Sequence, residues 1–178
     1  MIKSVAFLRA VNVGGQGILK MDTLRRALED IGLSNVKTVL QSGNAIFEAE
    51  AGDAGVLGRK IEKRLRAALG VETTVILRTF REIERLIRRD PFGDEEQGRA
   101  IKRYMAFLVK KPSGRFDLPL ISAKDGLEIF SIEGREAFVL SRPIHGRYGF
   151  PNNFVEEALG VAATTRNWNT VLRLAPIW

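Results

Sequence analysis

Three short stretches hold the side chains with which this 178-residue chain could do chemistry. The first, residues 7–20, reads Phe-Leu-Arg-Ala-Val-Asn-Val-Gly-Gly-Gln-Gly-Ile-Leu-Lys and contains Arg9, Asn12, Gly14 and Gly15. An arginine and an amide at a strand end can pair an anion and read a base edge, while glycines let backbone N–H groups approach it. The spacing excludes two phosphate-binding patterns. No Gly-Lys-Ser/Thr follows as in a phosphate loop, and Gly-Gly-x-Gly is not the dinucleotide fingerprint. A tight strand-to-helix connection is the plain alternative.

The second stretch, Gln41-Ser42-Gly43-Asn44, interrupts two apolar runs. Its amides and hydroxyl either contact a ligand or satisfy the backbone of a hairpin. The third is Thr164-Thr165-Arg166-Asn167-Trp168-Asn169-Thr170. Read as a helix start with a hydroxyl cap, it places Arg166 and Asn167 at a positive end that favours anions. The alternative makes Trp168 a core anchor and the amides ties to neighbouring strands.

Several chemistries are absent. There is no cysteine and one histidine, His145, so disulfides, thiolate nucleophiles and zinc sites are excluded. Magnesium held by carboxylates stays open without a recognisable motif, and the sequence names no cofactor. His145 in its polar loop reads as a solvated residue rather than a general base, which needs an orienting partner. No Gly-x-Ser-x-Gly elbow is present, and an enzyme here would use Asp, Glu or Tyr as proton carriers. With 28 lysines and arginines against 21 acids the net charge is +7, which favours nucleic acid, phosphorylated metabolites or anionic surfaces as partners. No apolar run approaches the ~20 residues of a spanning helix, and the start lacks a leader's cleavage site. A soluble, cytoplasmic protein with no membrane partner is expected.

The elements that must position these residues follow from periodicity. Residues 4–12 read as a strand buried on both faces. A helix follows from Asp22, as N-cap, to Ile31, and Gly32 ends it. Residues 36–40 and 45–47 are strands, 54–69 a helix stopped by Gly70, and 73–77 a strand. This βαββαβ order is that of a ferredoxin-like half. It puts Phe7 and Phe47 on the central strands where RNA-recognition domains carry stacking rings, although the accompanying motif is missing and core packing explains both. A helix over 80–89 stops before Pro91, and 91–99 has linker composition. The expected domains are therefore 1–90 and 100–178. In the second, 104–109 is a strand, a short helix lies near 118–123, and 127–132 and 137–140 form a hairpin. A helix over 154–159 has capping-box spacing at Asn153 and Glu156, and a last helix covers 165–174. The fold class is α+β, a ferredoxin-like half followed by a second small α+β domain.

Leu8-Arg9-Ala10-Val11-Asn12-Val13-Gly14-Gly15, residues 21–28, Gln41-Ser42-Gly43-Asn44 and residues 163–171 together resemble the family designated domain of unknown function 1697 (DUF1697). The resemblance implies a two-part α+β protein, ferredoxin-like in its first half, with no established activity. Members often look like Gly-x-x-Ser-Lys before the penultimate helix, where this chain has Tyr148-Gly149. The expectation for function is a binding protein in which Arg9, Asn12, Gly14, Gly15, Gln41, Ser42, Asn44, Arg166 and Asn167 hold a small anionic or nucleotide-like ligand near the domain interface. The alternatives are nucleic-acid binding through basic helix faces, an enzyme of unassigned chemistry, and motifs that are purely structural.

Overall fold

The computed structural model describes residues 1–9, 20–39, 43–70, 72–93 and 100–177. These form an α+β protein with two antiparallel sheets and five helices. Two compact units divide it, Met1–Glu84 and Arg85–Trp178.

The first unit contains β1 (Ile2–Leu8), α1 (Met21–Glu29), β2 (Ser34–Val39), β3 (Asn44–Ala49), α2 (Ala54–Leu69), β4 (Val75–Thr79) and the start of α3 (Phe80–Arg89). The sheet order is β2-β3-β1-β4, all antiparallel. Alternation along the strands sends Ala6, Leu8, Ala45, Phe47, Val75 and Leu77 to one face, where Leu24, Ala27 and Leu28 of α1 and Ile61 and Leu65 of α2 cover them. Each leucine removed from water there contributes about 1.5–3 kcal/mol. As its unbroken apolar run predicts, β1 is buried on its other face too, at Val5 and Phe7. Asp53 starts α2 by accepting from the Val56 N–H at 2.8 Å. Asp22 has no such role. Helix α1 begins one residue earlier, with Lys20 at the N-cap and no side-chain cap, and Asp22 in its first turn faces Arg25 at 3.7 Å.

Of the expected linker at 91–99, residues 94–99 lie outside the described residues; the two compact units meet between Glu84 and Arg85, within α3. Residues on either side of Pro91 already pack on the second sheet: the Arg89 guanidinium lies 6.0 Å from the Phe138 ring and Phe92 meets that ring edge-on at 5.9 Å.

The second unit contains β5 (Lys102–Leu108), β6 (Leu120–Ser122), β7 (Leu127–Glu133), β8 (Glu136–Ser141), α4 (Asn152–Leu159), β9 (Ala163–Asn167), α5 (Trp168–Leu172) and a closing 3-10 turn, Ala175–Ile177. Its sheet order is β6-β7-β8-β5-β9. The expected hairpin is β7 and β8. Three expectations need correction. The segment near 118–123 is a strand, because Leu120 and Ser122 pair with Ile129 and Leu127 of β7. The Asn153–Glu156 capping box does not form, because Glu156 instead accepts from the Ala163 N–H at 2.7 Å and tethers β9 to α4. The last helix does not start at 165. Thr164 and Thr165, whose branched side chains suit a pleated surface, pair with Phe107 and Ala106 of β5, and the helix begins only at Trp168.

The two units repeat one plan. Deleting β6 leaves β7-β8-β5-β9, which corresponds strand for strand to β2-β3-β1-β4. Both first strands end in Ala-Phe-Leu, Ala6-Phe7-Leu8 and Ala106-Phe107-Leu108. Val5 pairs with Ile46 and Arg78, and Met105 at the same strand position pairs with Phe138 and Arg166. The helix before the last strand of each unit ends on a left-handed glycine, Gly70 (φ 63°) after α2 and Gly160 (φ 62°) after α4, a conformation other residues resist. Each of these helices also lends a carboxylate to the first N–H of the strand that follows, Glu62 to Val75 at 2.8 Å and Glu156 to Ala163. The units differ in one place: α1 has no helical counterpart among residues 109–126, where the chain runs through β6.

Candidate functional site

Arg9 stands at the end of β1, clamped from both sides. The Leu8 N–H donates to the Gly43 carbonyl at 2.8 Å and the Arg9 N–H to the Thr74 carbonyl at 2.9 Å. The Arg9 carbonyl accepts from Thr73 Oγ1 at 2.6 Å. The end of β1, Gly43 before β3 and the start of β4 therefore share one end of the first sheet, and the half-buried Arg9 side chain is carried on a fixed backbone. Asn44 sits beside it, fully buried, and its Nδ2 donates to the Val39 carbonyl at 3.1 Å. The amide thus closes the last rung between β2 and β3, a structural use of its polarity. Asn12, Gly14, Gly15, Gln41 and Ser42 lie outside the described residues.

Arg166 and Asn167 belong to the second unit. Arg166 is 7% exposed, and its Nη1 donates to Thr164 Oγ1 at 2.7 Å and to the Thr165 carbonyl at 2.9 Å. Burial lowers its pKa to about 10, so the group stays cationic at neutral pH. Asn167 accepts from the Asn169 N–H at 2.9 Å and caps α5. That helix has five residues, too short for an aligned dipole to build an anion site, and Arg166 precedes it in the strand.

An equivalent arginine escaped the sequence analysis. Arg78 is 1% exposed, occupies the corresponding position of β4, and donates from Nη1 to the preceding carbonyl of Leu77 at 2.8 Å, as Arg166 does to Thr165. Thr79 after it caps α3, accepting from the Glu82 N–H at 3.2 Å while Glu82 accepts from the Thr79 N–H at 2.7 Å. The legible signal was a repeated triplet, arginine, capping residue, aromatic: Arg78-Thr79-Phe80 and Arg166-Asn167-Trp168.

Two other expectations meet their geometry here. Phe7 pairs with Asn44 and Phe47 with Ser4, so the rings point to opposite faces, and both are fully buried. They form no platform for stacked bases, which needs exposed rings on one face. On the basic side of α2, Arg64 pairs with Asp30, Arg66 with Glu72 at 3.0 Å, and Lys60 donates to the Ile31 carbonyl at 2.8 Å. Much of that charge serves the unit's own acids and carbonyls, the pattern of a solvated structural face. His145 is exposed in a turn closed by mutual bonds between Ile144 and Arg147. Among the described residues no group of three or more metal-ligating side chains gathers, and no helix is long and apolar enough to cross a membrane.

The model of the family described as "Protein of unknown function (DUF1697)" matches residues 1–138. The chain belongs to that family. The match covers the first unit and continues to Phe138 in β8, ending before the triplet around Arg166. No curated protein matches the chain. Among solved structures, the chain is similar to "conserved bacterial protein SP0830 from Streptococcus pneumoniae". The TM-score is 0.65 at 16% identity, over 99% of this chain and 98% of that one. At that identity the likeness establishes the fold alone.

Proposed function

We propose that this member of the DUF1697 family is a cytoplasmic binding protein for a small anionic or nucleotide-like ligand, held at the end of the first sheet. Arg9 supplies the charge, Gln41, Ser42 and Asn12 the edge contacts, and Gly14 and Gly15 the close backbone approach. The observation that carries this reading is the clamp on Arg9: its main chain is pinned by Thr73 and Thr74, so binding there need not order the backbone that carries the guanidinium. The βαββαβ order with strand order β2-β3-β1-β4 also supports reading the first unit as ferredoxin-like.

A structural reading is favoured at Asn44, Arg166 and Asn167, whose polar atoms complete strand and helix ends. These three then preserve the scaffold and do not touch the ligand. The test is a thermal-shift screen of nucleotides and phosphorylated metabolites. A ligand at a hundred times its Kd stabilises the folded protein by about 2.7 kcal/mol. Arg9→Ala should abolish the shift while leaving the unliganded melting temperature within a few degrees. A full shift in Arg9→Ala, or no shift from any anion, overturns the proposal.

A further inference from the structure

The two units hold the ends of their first strands in the same way, which separates what the fold requires there from what the first unit adds. In the second unit the Leu108 N–H donates to the Arg135 carbonyl at 2.9 Å and the Val109 N–H to the Ala162 carbonyl at 3.0 Å. These are the bonds of Leu8 to Gly43 and of Arg9 to Thr74, so Val109 stands where the first unit has Arg9, and Val161 where it has Thr73. The correspondence holds one residue further on, where Glu62 and Glu156 accept from the N–H groups of Val75 and Ala163. The pair of backbone bonds is thus a property of the repeated plan, while the side chains around it are not.

What the first unit adds is a hydroxyl. Thr73 Oγ1 lies 2.6 Å from the Arg9 carbonyl and 3.3 Å from the Thr74 carbonyl. It has one proton to donate, and the shorter contact takes it. Val161 has no such proton, yet the second unit pairs β9 with β5 without it. Val109 is 43% exposed and uncharged. The arginine and the hydroxyl occur together in one unit and are replaced together in the other.

The extra bond acts on the direction of the arginine. Each residue has two soft dihedrals, set by the peptide planes on either side of its Cα. A bond from the N–H holds the preceding plane, as at Val109. At Arg9 the bond to the carbonyl holds the following plane as well, so φ and ψ are both fixed, and with them the direction in which the side chain leaves the backbone. We propose that Thr73 is the positioning residue of the anion site at Arg9, aiming the guanidinium without itself touching the ligand. This inference rests on the reading of Arg9 as a ligand-binding residue.

The test is calorimetric titration of the full chain with pyrophosphate and with AMP at 25 °C, for wild type, Thr73→Val and Thr73→Ser, beside hydrogen exchange of the Arg9 amide in the unliganded chains. Valine keeps the shape of threonine and lacks the proton. Thr73→Val should weaken whichever probe binds wild type about fivefold, the cost of a group that binding must now immobilise, and should speed exchange at Arg9 about fivefold. Thr73→Ser should restore both to within about twofold of wild type. A hydroxyl that only stabilises the fold would lower the melting temperature of Thr73→Val and leave its Kd unchanged. That result overturns the positioning role while the anion site stands, as does unchanged exchange at Arg9 or a serine variant that binds no better than the valine one. If neither probe binds wild type up to about 10 mM, the anion site itself falls and the role of Thr73 falls with it.

Discussion

Replacing Asn44 separates a structural amide from a ligand-binding one. The side chain is wholly buried, and its Nδ2 donates to the Val39 carbonyl. Asn44→Ala removes the donor and leaves that carbonyl without it, which costs about 1–3 kcal/mol for an interior acceptor, so about 2 kcal/mol is expected. Urea unfolding followed by far-ultraviolet circular dichroism should then show its midpoint lowered by about 1.5 M, for a slope of about 1.3 kcal/mol per molar. Amide exchange at Val5 and Ile46, which pair across the β1–β3 ladder, should lose about thirtyfold in protection, the same free energy read locally. Asn44→Asp is the sharper variant. A carboxylate can only accept and would face an acceptor, and burial raises its folded-state pKa by about three units, worth about 4 kcal/mol at pH 7. With the folded pKa above the unfolded value, the folded state binds the extra proton. The deficit is therefore small below pH ~4 and grows as pH rises toward the folded pKa. An alanine variant within about 0.3 M of wild type, or an aspartate variant whose deficit against wild type is smaller at pH 7 than at pH 4.5, would refute the reasoning.

Three further outcomes follow from the geometry. Arg166→Lys keeps the charge but not the guanidinium fork that reaches Thr164 and Thr165, and should cost about 2 kcal/mol in calorimetry of the unliganded protein; a neutral result would return Arg166 to the ligand-binding candidates. Gly149→Ala forces a methyl group against the Asp125 carbonyl and should destabilise by about 1–3 kcal/mol, read as a lowered melting temperature; an unchanged one would mean that the two segments move apart without cost. Burial, and secondarily the charge of Tyr148, raises the Tyr104 phenol above its ordinary 10.0. The unfolded chain then ionises first, so the stability this phenol contributes is complete below pH ~10 and lost as pH climbs through the folded value. With two tyrosines in the chain, Tyr148→Phe isolates Tyr104 in an ultraviolet titration, and its midpoint should stay above 10 while falling below the upper midpoint of wild type.

Elements with a strong period were legible from the sequence. The extent of α2 follows from Leu57, Ile61 and Leu65 at four-residue spacing and from Gly70 after them. Residues 163–174 failed because two tendencies overlap. Trp168, Val171 and Leu174 are buried at helical spacing, and extending that stripe backward captured Thr165 and Arg166. Strand pairing to β5 overrides it, since the bonds that define β9 come from residues about sixty positions earlier, which no local window contains. Glu156 failed for a related reason. Its spacing from Asn153 fits a capping box, but the Ala163 N–H at the start of an edge strand competes for the carboxylate.

The internal repeat was the largest omission, and its cause is physical. A duplicated fold needs only equivalent burial at equivalent positions, so the interior of one unit can drift to any set of apolar volumes that fills the same space. Ala-Phe-Leu survives at the centre of both sheets, in strands buried on both faces, and the arginine-cap-aromatic triplet survives where a polar side chain must stay bonded inside. At those sites few substitutions leave every polar atom satisfied. The segment between the first two strands of each unit is under no such constraint. One unit fills it with a helix, and the other with an extended segment that adds β6 to the sheet edge and packs Phe116 and Leu120 against the core. Either cover satisfies the same requirement, apolar side chains over one face of the sheet, which is why its secondary structure differs while the sheet register and the buried arginines do not.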